Sequence, residues 1–258
     1  NSVNVALHIE ENERMLCILP LFHSFASMVC MLTPLSMGAT TVILKQFRPD
    51  SALKAIEKYK ITILPAVPSM FLIMAKIDPS AKFDLSSLKY LISGGAGLPP
   101  KIGELFEQRF GLPIHEGYGL SEASPVVAVN PLGGKRKIGS IGLPIKDVTV
   151  KIFDVNDKEV PQGETGELVV RGGNVMQGYL GLKEESDLAL RNGWLHTGDM
   201  GFIDEEGYIH IVDRKKEMVL VRGQNVYPRE VENVLYQHPG VGEVAVVAAP
   251  DERSGEVV

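Results

Sequence analysis

The sequence is short of the features that mark several large classes of protein. It has two cysteines, Cys17 and Cys30, in an apolar stretch without metal-ligand spacing. That excludes a disulfide framework and a cysteine metal site, and reads as buried reduced thiols of a cytosolic protein. Basic residues are outnumbered, 26 against 32 acidic for a formal charge of −6, and they are scattered. A short cluster, Lys135 to Lys137 beside Gly133 and Gly134, reads as a solvated loop; a nucleic-acid footprint has to line up along one surface. From Met15 to Leu44 there is no Asp, Glu, Lys or Arg, a run long enough to raise the question of a membrane span. Pro20, Pro34, Gly38 and the polar His23, Ser24, Ser27 and Thr33 interrupt it, and backbone left unpaired at each proline could not face lipid. The run is expected to fold as a buried strand, a short helix and a second strand, with no transmembrane segment. The opening residues, NSVNVALHIEENERM, are neither basic nor followed by a cleavable apolar region, so no secretory signal is expected.

What the chain does have is enough apolar surface for a core. With 258 residues, 45% of them hydrophobic, it can form one large domain or two smaller ones. Its start reads as the end of a helix feeding a buried strand, and PDERSGEVV stops as a strand begins. The chain is therefore expected to be an excerpt of a longer polypeptide.

Up to about residue 130, short β-rich runs alternate with amphipathic ones: TTVILKQF a strand, DSALKAIEKYK a helix capped by Asp50, ITILPAV and LKYLISGG strands. This rhythm predicts an α/β subdomain with a parallel sheet over residues 1–130, whose ligands sit beyond the carboxyl ends of the strands. Over 131–213 the pattern changes to VTVKIFD, GELVVRG and GYIHIVD with turns between them, which predicts a small antiparallel, barrel-like subdomain. Over 214–258 a basic step precedes a strand, EMVLVRG, a helix, PREVENVLYQH with Pro228 in its first turn, and a strand, EVAVVAAP. That reads as the start of a C-terminal α+β domain after a hinge.

Three segments combine residues that a fold alone does not require. SGGAG, Ser93 to Gly97, is either an ordinary turn or bare backbone that can lie flat against a planar ring and present its amides. In EGYGLSE, Gly117 and Gly119 permit close approach, Tyr118 offers a flat face, and Ser121 with Glu122 can hold a hydrated Mg²⁺, which takes few carboxylates and completes its shell with phosphate oxygens; the alternative is a solvated turn. In GWLHTGDMG, Asp199 can accept two hydrogen bonds from a ribose diol or can simply cap its turn. Arg214, Lys215 and Lys216 read as a soluble linker or as a hinge that meets a phosphate. On residue pattern alone His23 reads as a core histidine.

Taken together, SGGAG, EGYGLSEASP, GELVVRG, GWLHTGDMG and GYIHIVDRKKEMVLVRGQNVYPREVE occur in the order and spacing of the adenylate-forming acyl-CoA synthetases. The chain resembles that superfamily throughout, most of all its medium- to long-chain fatty-acid CoA ligases. The resemblance implies that Gly95, Ala96 and Gly97 line adenine together with Glu116, Gly117 and Tyr118. Ser121 and Glu122 would face the phosphates and Mg²⁺, Asp199 would hold the ribose with Arg214 nearby, and Lys216 would be the pivot of the small domain. His23, Phe25, Gly119 and Leu120 would flank the acyl group, and Arg222 with Gly223 would approach the pantetheine of coenzyme A. It implies ATP, Mg²⁺ and CoA as cofactor and co-substrates, and a cytoplasmic enzyme that activates a carboxylic acid as acyl-AMP before passing it to a thiol.

Amino-acid activators of the superfamily place an Asp near the position of His23; here no such counter-charge exists between Met15 and Leu44. The substrate is expected to be a plain carboxylic acid, because a buried unpaired ammonium is costly. The alternatives are an aryl-CoA ligase, a domain that loads an acyl group onto a carrier protein, and a non-catalytic nucleotide-binding relative. Two parts of the superfamily pattern are absent from the sequence: the Gly/Ser/Thr-rich phosphate loop upstream of LPLF, and the lysine near the carboxyl end. Assayed alone with ATP, fatty acid and Mg²⁺, the 258-residue chain is expected to form no acyl-AMP above background; clear release of pyrophosphate would overturn this.

Overall fold

Apolar side chains alternate along the first strands between two faces, and both faces are covered. Met15 and Cys17 of β1 (Arg14–Cys17) pack into one cluster and Leu16 into the other; Ile63 and Leu64, and Ile92 and Leu91, divide in the same way. That is the signature of strands buried on both sides. The computed structural model describes residues 2–78, 80, 82–221, 224–238, 240–241, 244–251 and 255–258. The chain divides into two compact units, Asn1–Thr149 with Arg171–Tyr179, and Val150–Val170 with Leu180–Val258.

The first unit holds a seven-stranded sheet. Its further strands are β2 (Thr40–Ile43), β3 (Ile63–Ala66), β4 (Tyr90–Ser93), β5 (Ile114–Gly119), β6 (Val126–Val129) and β7 (Leu143–Pro144), and the spatial order is β2-β1-β3-β4-β5-β6-β7. The pairs from β2 across to β5 are parallel, as the alternation of strands and helices requires; β5–β6 and β6–β7 are antiparallel. After the short N-terminal α1 (Ser2–Leu7) and α2 (Thr33–Ser36), three helices serve as crossovers: α3 (Pro49–Tyr59), α4 (Pro68–Ala75) and α5 (Pro100–Phe110). These three pack on one face through Leu53, Ile56, Phe71, Met74 and Phe106. The other face carries α1 and a π-helical segment, Ala26–Leu32, that runs into α2 and contributes Val29 and Cys30. The uncharged run is thus a strand, a helix and a strand, and both cysteines are free and buried. Phe71 and Phe106 meet edge to face at 5.3 Å between ring centroids, an arrangement worth about 1 kcal/mol beyond the area it buries.

Two local expectations differ. Asp50 does not cap α3: Pro49 takes the first helical position, where its missing N–H costs nothing, and Asp50 lies inside the first turn, 3.8 Å from Lys54. The basic cluster is not uniformly solvated. Arg136 is half-buried, donating to the Ile114 carbonyl at 3.1 Å and to Glu107 at 2.7 Å.

The second unit is built on a four-stranded sheet in the order β11-β10-β9-β8, from β8 (Val148–Phe153), β9 (Gly166–Gly172), β10 (Leu195–Ile203) and β11 (Ile209–Arg214), with β10 antiparallel to both β9 and β11. Trp194, the sole tryptophan, is core: it meets Phe153 edge-on at 5.6 Å beside Val169. After α6 (Lys183–Ala189) in sequence and β11, a third sheet follows in the order β13-β12-β15-β14, from β12 (Val219–Val221), β13 (Gln224–Val226), β14 (Ala249–Asp251) and β15 (Gly255–Val257). The helix α7 (Pro228–Leu235) starts on Pro228 as its sequence predicts. The strand expected over EVAVVAAP is shorter: residues 244–248 carry none, and β14 begins at Ala249. Two of their amides turn to side chains instead, Val246 N–H to Glu232 of α7 at 2.8 Å and Val244 N–H to the Tyr236 hydroxyl, just past that helix, at 3.4 Å. Glu243 lies outside the described residues. Among the described residues no helix is long and apolar enough to cross a membrane.

Candidate functional site

Because both faces of the first sheet are covered, polar chemistry can reach it only where strands end. A cavity of ≈ 390 Å³ lies there, lined by residues that follow β3 (Val67), β4 (Gly94, Gly95) and β5 (Leu120, Ser121). Leu7, Ile92, Val126 and Val129 form apolar walls, and the loop and helix after β1 contribute His23, Ser24, Phe25, Ala26 and Val29. Among the described residues that line it, none is an Asp, Glu, Lys or Arg. An ammonium placed inside would have no counter-charge, whereas an alkyl or aryl group would be at home. His23 is not a core histidine: it is exposed and sits tilted against Phe22, with 4.6 Å between ring centroids.

Two glycines make the cavity possible. A Cβ on Gly94 would come within 3.1 Å of the Phe25 ring, so the bare backbone lets that ring lie over the end of β4. A Cβ on Gly119 would fall 2.2 Å from the Pro125 carbonyl, which accepts the Leu120 N–H at 3.0 Å. The tight return from β5 to β6 therefore excludes any side chain at 119. Gly95, Gly117 and Tyr118 line the cavity as well, while the exposed Ala96 and half-exposed Gly97 continue the bend after β4.

Glu116 faces elsewhere. It is buried, its Oε1 accepts the Leu98 N–H at 2.8 Å, its backbone carbonyl accepts the Asn130 N–H at 2.9 Å, and it borders a smaller cleft with Asn130, Arg136 and Ser140. Its carboxylate thus braces the glycine bend from behind. Ser121 and Glu122 occupy one turn of 3₁₀ helix, Ser121–Ala123. The Ser121 hydroxyl lies 3.1 Å from that of Ser24, and the Tyr179 hydroxyl donates to Glu122 Oε1 at 2.9 Å. Burial and the bonded carboxylate both raise the Tyr179 phenol above its ordinary range, so it stays a donor. Asn174 Nδ2 donates to the carbonyls of Ala123 and Val126 at 2.9 and 3.0 Å, and the Met176 N–H to that of Glu122 at 2.8 Å. Segment 171–179 thereby clamps the turn. Ser24, Asn174, Met176 and Tyr179 were not foreseen, and no local signal marks them: Tyr179 is 57 residues from Glu122 in sequence and Ser24 is 97 from Ser121.

Among the described residues no group of three or more His, Cys, Asp or Glu could hold a metal ion. The Glu122 carboxylate and the Ser121 hydroxyl are oxygen donors of the kind Mg²⁺ takes, an ion that fills most of its shell with water and phosphate oxygens.

In the second unit Asp199 and Arg214 are register partners on β10 and β11, with Arg214 Nε 3.4 Å from Asp199 Oδ1. Asp199 is buried and Arg214 exposed. Lys216 sits exposed in the turn after β11. Just before it, Asp213 accepts the Arg229 N–H at 3.0 Å and so caps α7 from outside. Arg222 and Gly223 lie outside the described residues.

The first unit thus carries, at the ends of its parallel strands, a cavity with no charged side chain among its described lining residues and with the Ser121 hydroxyl on its lip. Residues 1–180 match the AMP-binding enzyme family and residues 230–258 its AMP-binding enzyme C-terminal domain. The chain belongs to the AMP-binding enzymes. It is 41% identical to a long-chain-fatty-acid–CoA ligase of Bacillus subtilis (strain 168) over 96% of its length and 45% of that protein. To a feruloyl-CoA synthase of an Amycolatopsis species it is 42% identical, over 100% of its length and 53% of the relative. ATP-bound MatB from Rhodopseudomonas palustris superposes with a TM-score of 0.94 at 30% identity, over 99% of this chain and 50% of that one. The chain thus spans about half the length of the relatives it matches.

The bracing role of Glu116 has a direct readout. In Glu116→Ala the Leu98 amide loses its acceptor, and its hydrogen-exchange protection is expected to fall about tenfold, the equivalent of ~1.4 kcal/mol; Glu116→Gln keeps an acceptor and most of the protection. Unchanged protection in the alanine variant would show that the bond does not hold the bend.

Proposed function

We propose that the protein containing this chain is an ATP-dependent acyl-CoA ligase for a plain carboxylic acid with an apolar tail. The observation that carries the reading is the cavity of ≈ 390 Å³ without a charged lining residue, next to Ser121. The family and the printed activities of its relatives, a fatty-acid and a feruloyl-CoA ligase, support it.

In this reading the acid's tail fills the cavity against Phe25 and Ile92, with His23, Gly119 and Leu120 around its carboxylate. Gly95, Ala96, Gly97, Gly117 and Tyr118 offer flat backbone and a ring to adenine, while Glu116 holds that surface in shape. Asp199 accepts from the ribose hydroxyls with Arg214 beside it. Ser121 and Glu122 would hold Mg²⁺, which when bound neutralises phosphate charge. The carboxylate oxygen attacks the α-phosphorus of ATP and pyrophosphate leaves; a thiol sulfur then attacks the acyl carbonyl, losing its proton, and AMP leaves. Both steps gather negative charge on oxygen, so pre-positioned donors and cations supply most of the rate. Between them Lys216 serves as the pivot, and Arg222 with Gly223 approach the pantetheine. The free buried thiols suit the cytoplasm.

Two acids that differ by one ammonium group test the reading. With the full-length protein, 3-phenylpropanoate should support thiol-dependent AMP release with kcat/KM about 100-fold above phenylalanine, since an unpaired buried cation costs several kcal/mol. Fatty acids should be substrates as well. Equal turnover of phenylalanine, or no acid-dependent AMP from any member of the series, would refute it. Tyr179→Phe should raise the KM for Mg·ATP about fivefold, the value of one hydrogen bond near 1 kcal/mol, and leave the KM for the acid unchanged. A shift in both constants would contradict the role given to Tyr179.

A further inference from the structure

On β9 the run Leu168, Val169 and Val170 is wholly buried, as an interior strand demands, yet the residue before it is Glu167, itself buried. A carboxylate removed from water is costly unless it is paired and hydrogen-bonded. Glu167 is both. Its Oε1 accepts the Gly198 N–H at 3.2 Å. Its Oε2 accepts from Lys215 Nζ at 3.0 Å and lies 3.3 Å from His196 Nδ1, with an Arg191 Nη2 at 3.6 Å. Burial pushes this carboxyl up, but the bonds and charges of Lys215 and His196 outweigh it and hold the group below its ordinary range.

The partners close a ring. The Gly198 carbonyl accepts the Lys215 backbone N–H at 2.8 Å, so a single residue, Gly198, is held at its N–H by Glu167 and at its C=O by Lys215, whose ammonium returns to Glu167. Asp199 follows directly and is fixed further by its own N–H, which donates to the Thr197 hydroxyl at 3.1 Å; that hydroxyl donates to the Leu168 carbonyl at 2.9 Å. One buried anion therefore sets both the turn that carries Asp199 and the step from Arg214 to Lys216.

We propose that Glu167 is a positioning residue for the reaction put forward above: it holds the Asp199 turn in the geometry that grips a ribose, and through Lys215 it tethers the stretch about which the small domain turns. The proposal rests on the ligase reading. It assigns the two tasks to different atoms, the Gly198 acceptor to the ribose grip and the negative charge to the tether.

The test uses the full-length protein and compares Glu167→Ala, Glu167→Gln and Lys215→Met. Acid-dependent pyrophosphate exchange with ATP and with 2′-deoxy-ATP reads the ribose grip, and the ratio of exchange to thiol-dependent AMP release reads the tether. Glu167→Ala should lose about tenfold of the preference for ATP over 2′-deoxy-ATP, with the KM for the acid unchanged. Glu167→Gln, which keeps an acceptor but no charge, should keep that preference and shift the ratio of the two half-reactions as Lys215→Met does. A folded Glu167→Ala with native sugar preference would overturn the proposal. If the alanine variant does not fold, unequal effects of Glu167→Gln and Lys215→Met on the ratio overturn it, and equal effects support it. A native enzyme without acid-dependent exchange overturns the ligase reading and this inference with it, whereas an active native enzyme with unaltered variants overturns the inference alone.

Discussion

A sheet covered on both faces has no room for polar chemistry except at the ends of its strands. The rest of the first unit follows from that constraint. The apolar run from Met15 to Leu44, which in isolation resembles a membrane segment, covers one face, and α3, α4 and α5 cover the other. What remains for chemistry is the rim after β3, β4 and β5. There the backbone must be bare, because a Cβ on Gly119 would run into the Pro125 carbonyl and one on Gly94 into Phe25. Apolar walls and a polar lip then arise side by side, a combination that suits a molecule with a greasy tail and an anionic head.

A bare loop is floppy unless something holds it, and in each unit a buried or half-buried carboxylate supplies the hold. Glu116 fixes the bend after β4 through the Leu98 amide. Glu122 is itself steadied by the Tyr179 hydroxyl, while Asn174 and Met176 pin the carbonyls around it. In the second unit Glu167 and Asp213 do the equivalent for the Asp199 turn and for the start of α7. Each of these groups pairs with a backbone N–H, a hydroxyl or a cation, which is the condition for keeping a carboxylate out of water. Rigid side chains on short bonds of this kind are what allow donors to be in place before charge develops.

How much of this was legible in the sequence depended on how far apart the partners lie. The βαβ rhythm, β9 over GELVVRG and the helix starting at Pro228 are local patterns of period 2 or 3.6, and they appear where the residues put them, whereas antiparallel pairing begins earlier than expected, at β5 with β6. The glycine turns were visible because glycine itself is the signal. Bonds between distant segments were not: Tyr179 to Glu122, Ser24 to Ser121 and Glu167 to Lys215 join residues 57, 97 and 48 positions apart, and none leaves a period behind. The resemblance placed Glu116 beside adenine, and the sequence held no sign of the bond from the Leu98 amide, 18 positions away, that its carboxylate accepts. Over 244–248 no strand forms, and there too the bonds are to distant side chains: Val246 N–H to Glu232 of α7 and Val244 N–H to Tyr236 just past it.

That the charge-free cavity at the strand ends receives the acyl tail is tested most directly by a crystal structure of the full-length protein with a non-hydrolysable fatty acyl-adenylate analogue. The tail should lie between Phe25, Ile92 and Val129, with no protein carboxylate or ammonium within contact distance of about 4 Å. A tail bound elsewhere, with the cavity closed by its own side chains, would contradict it.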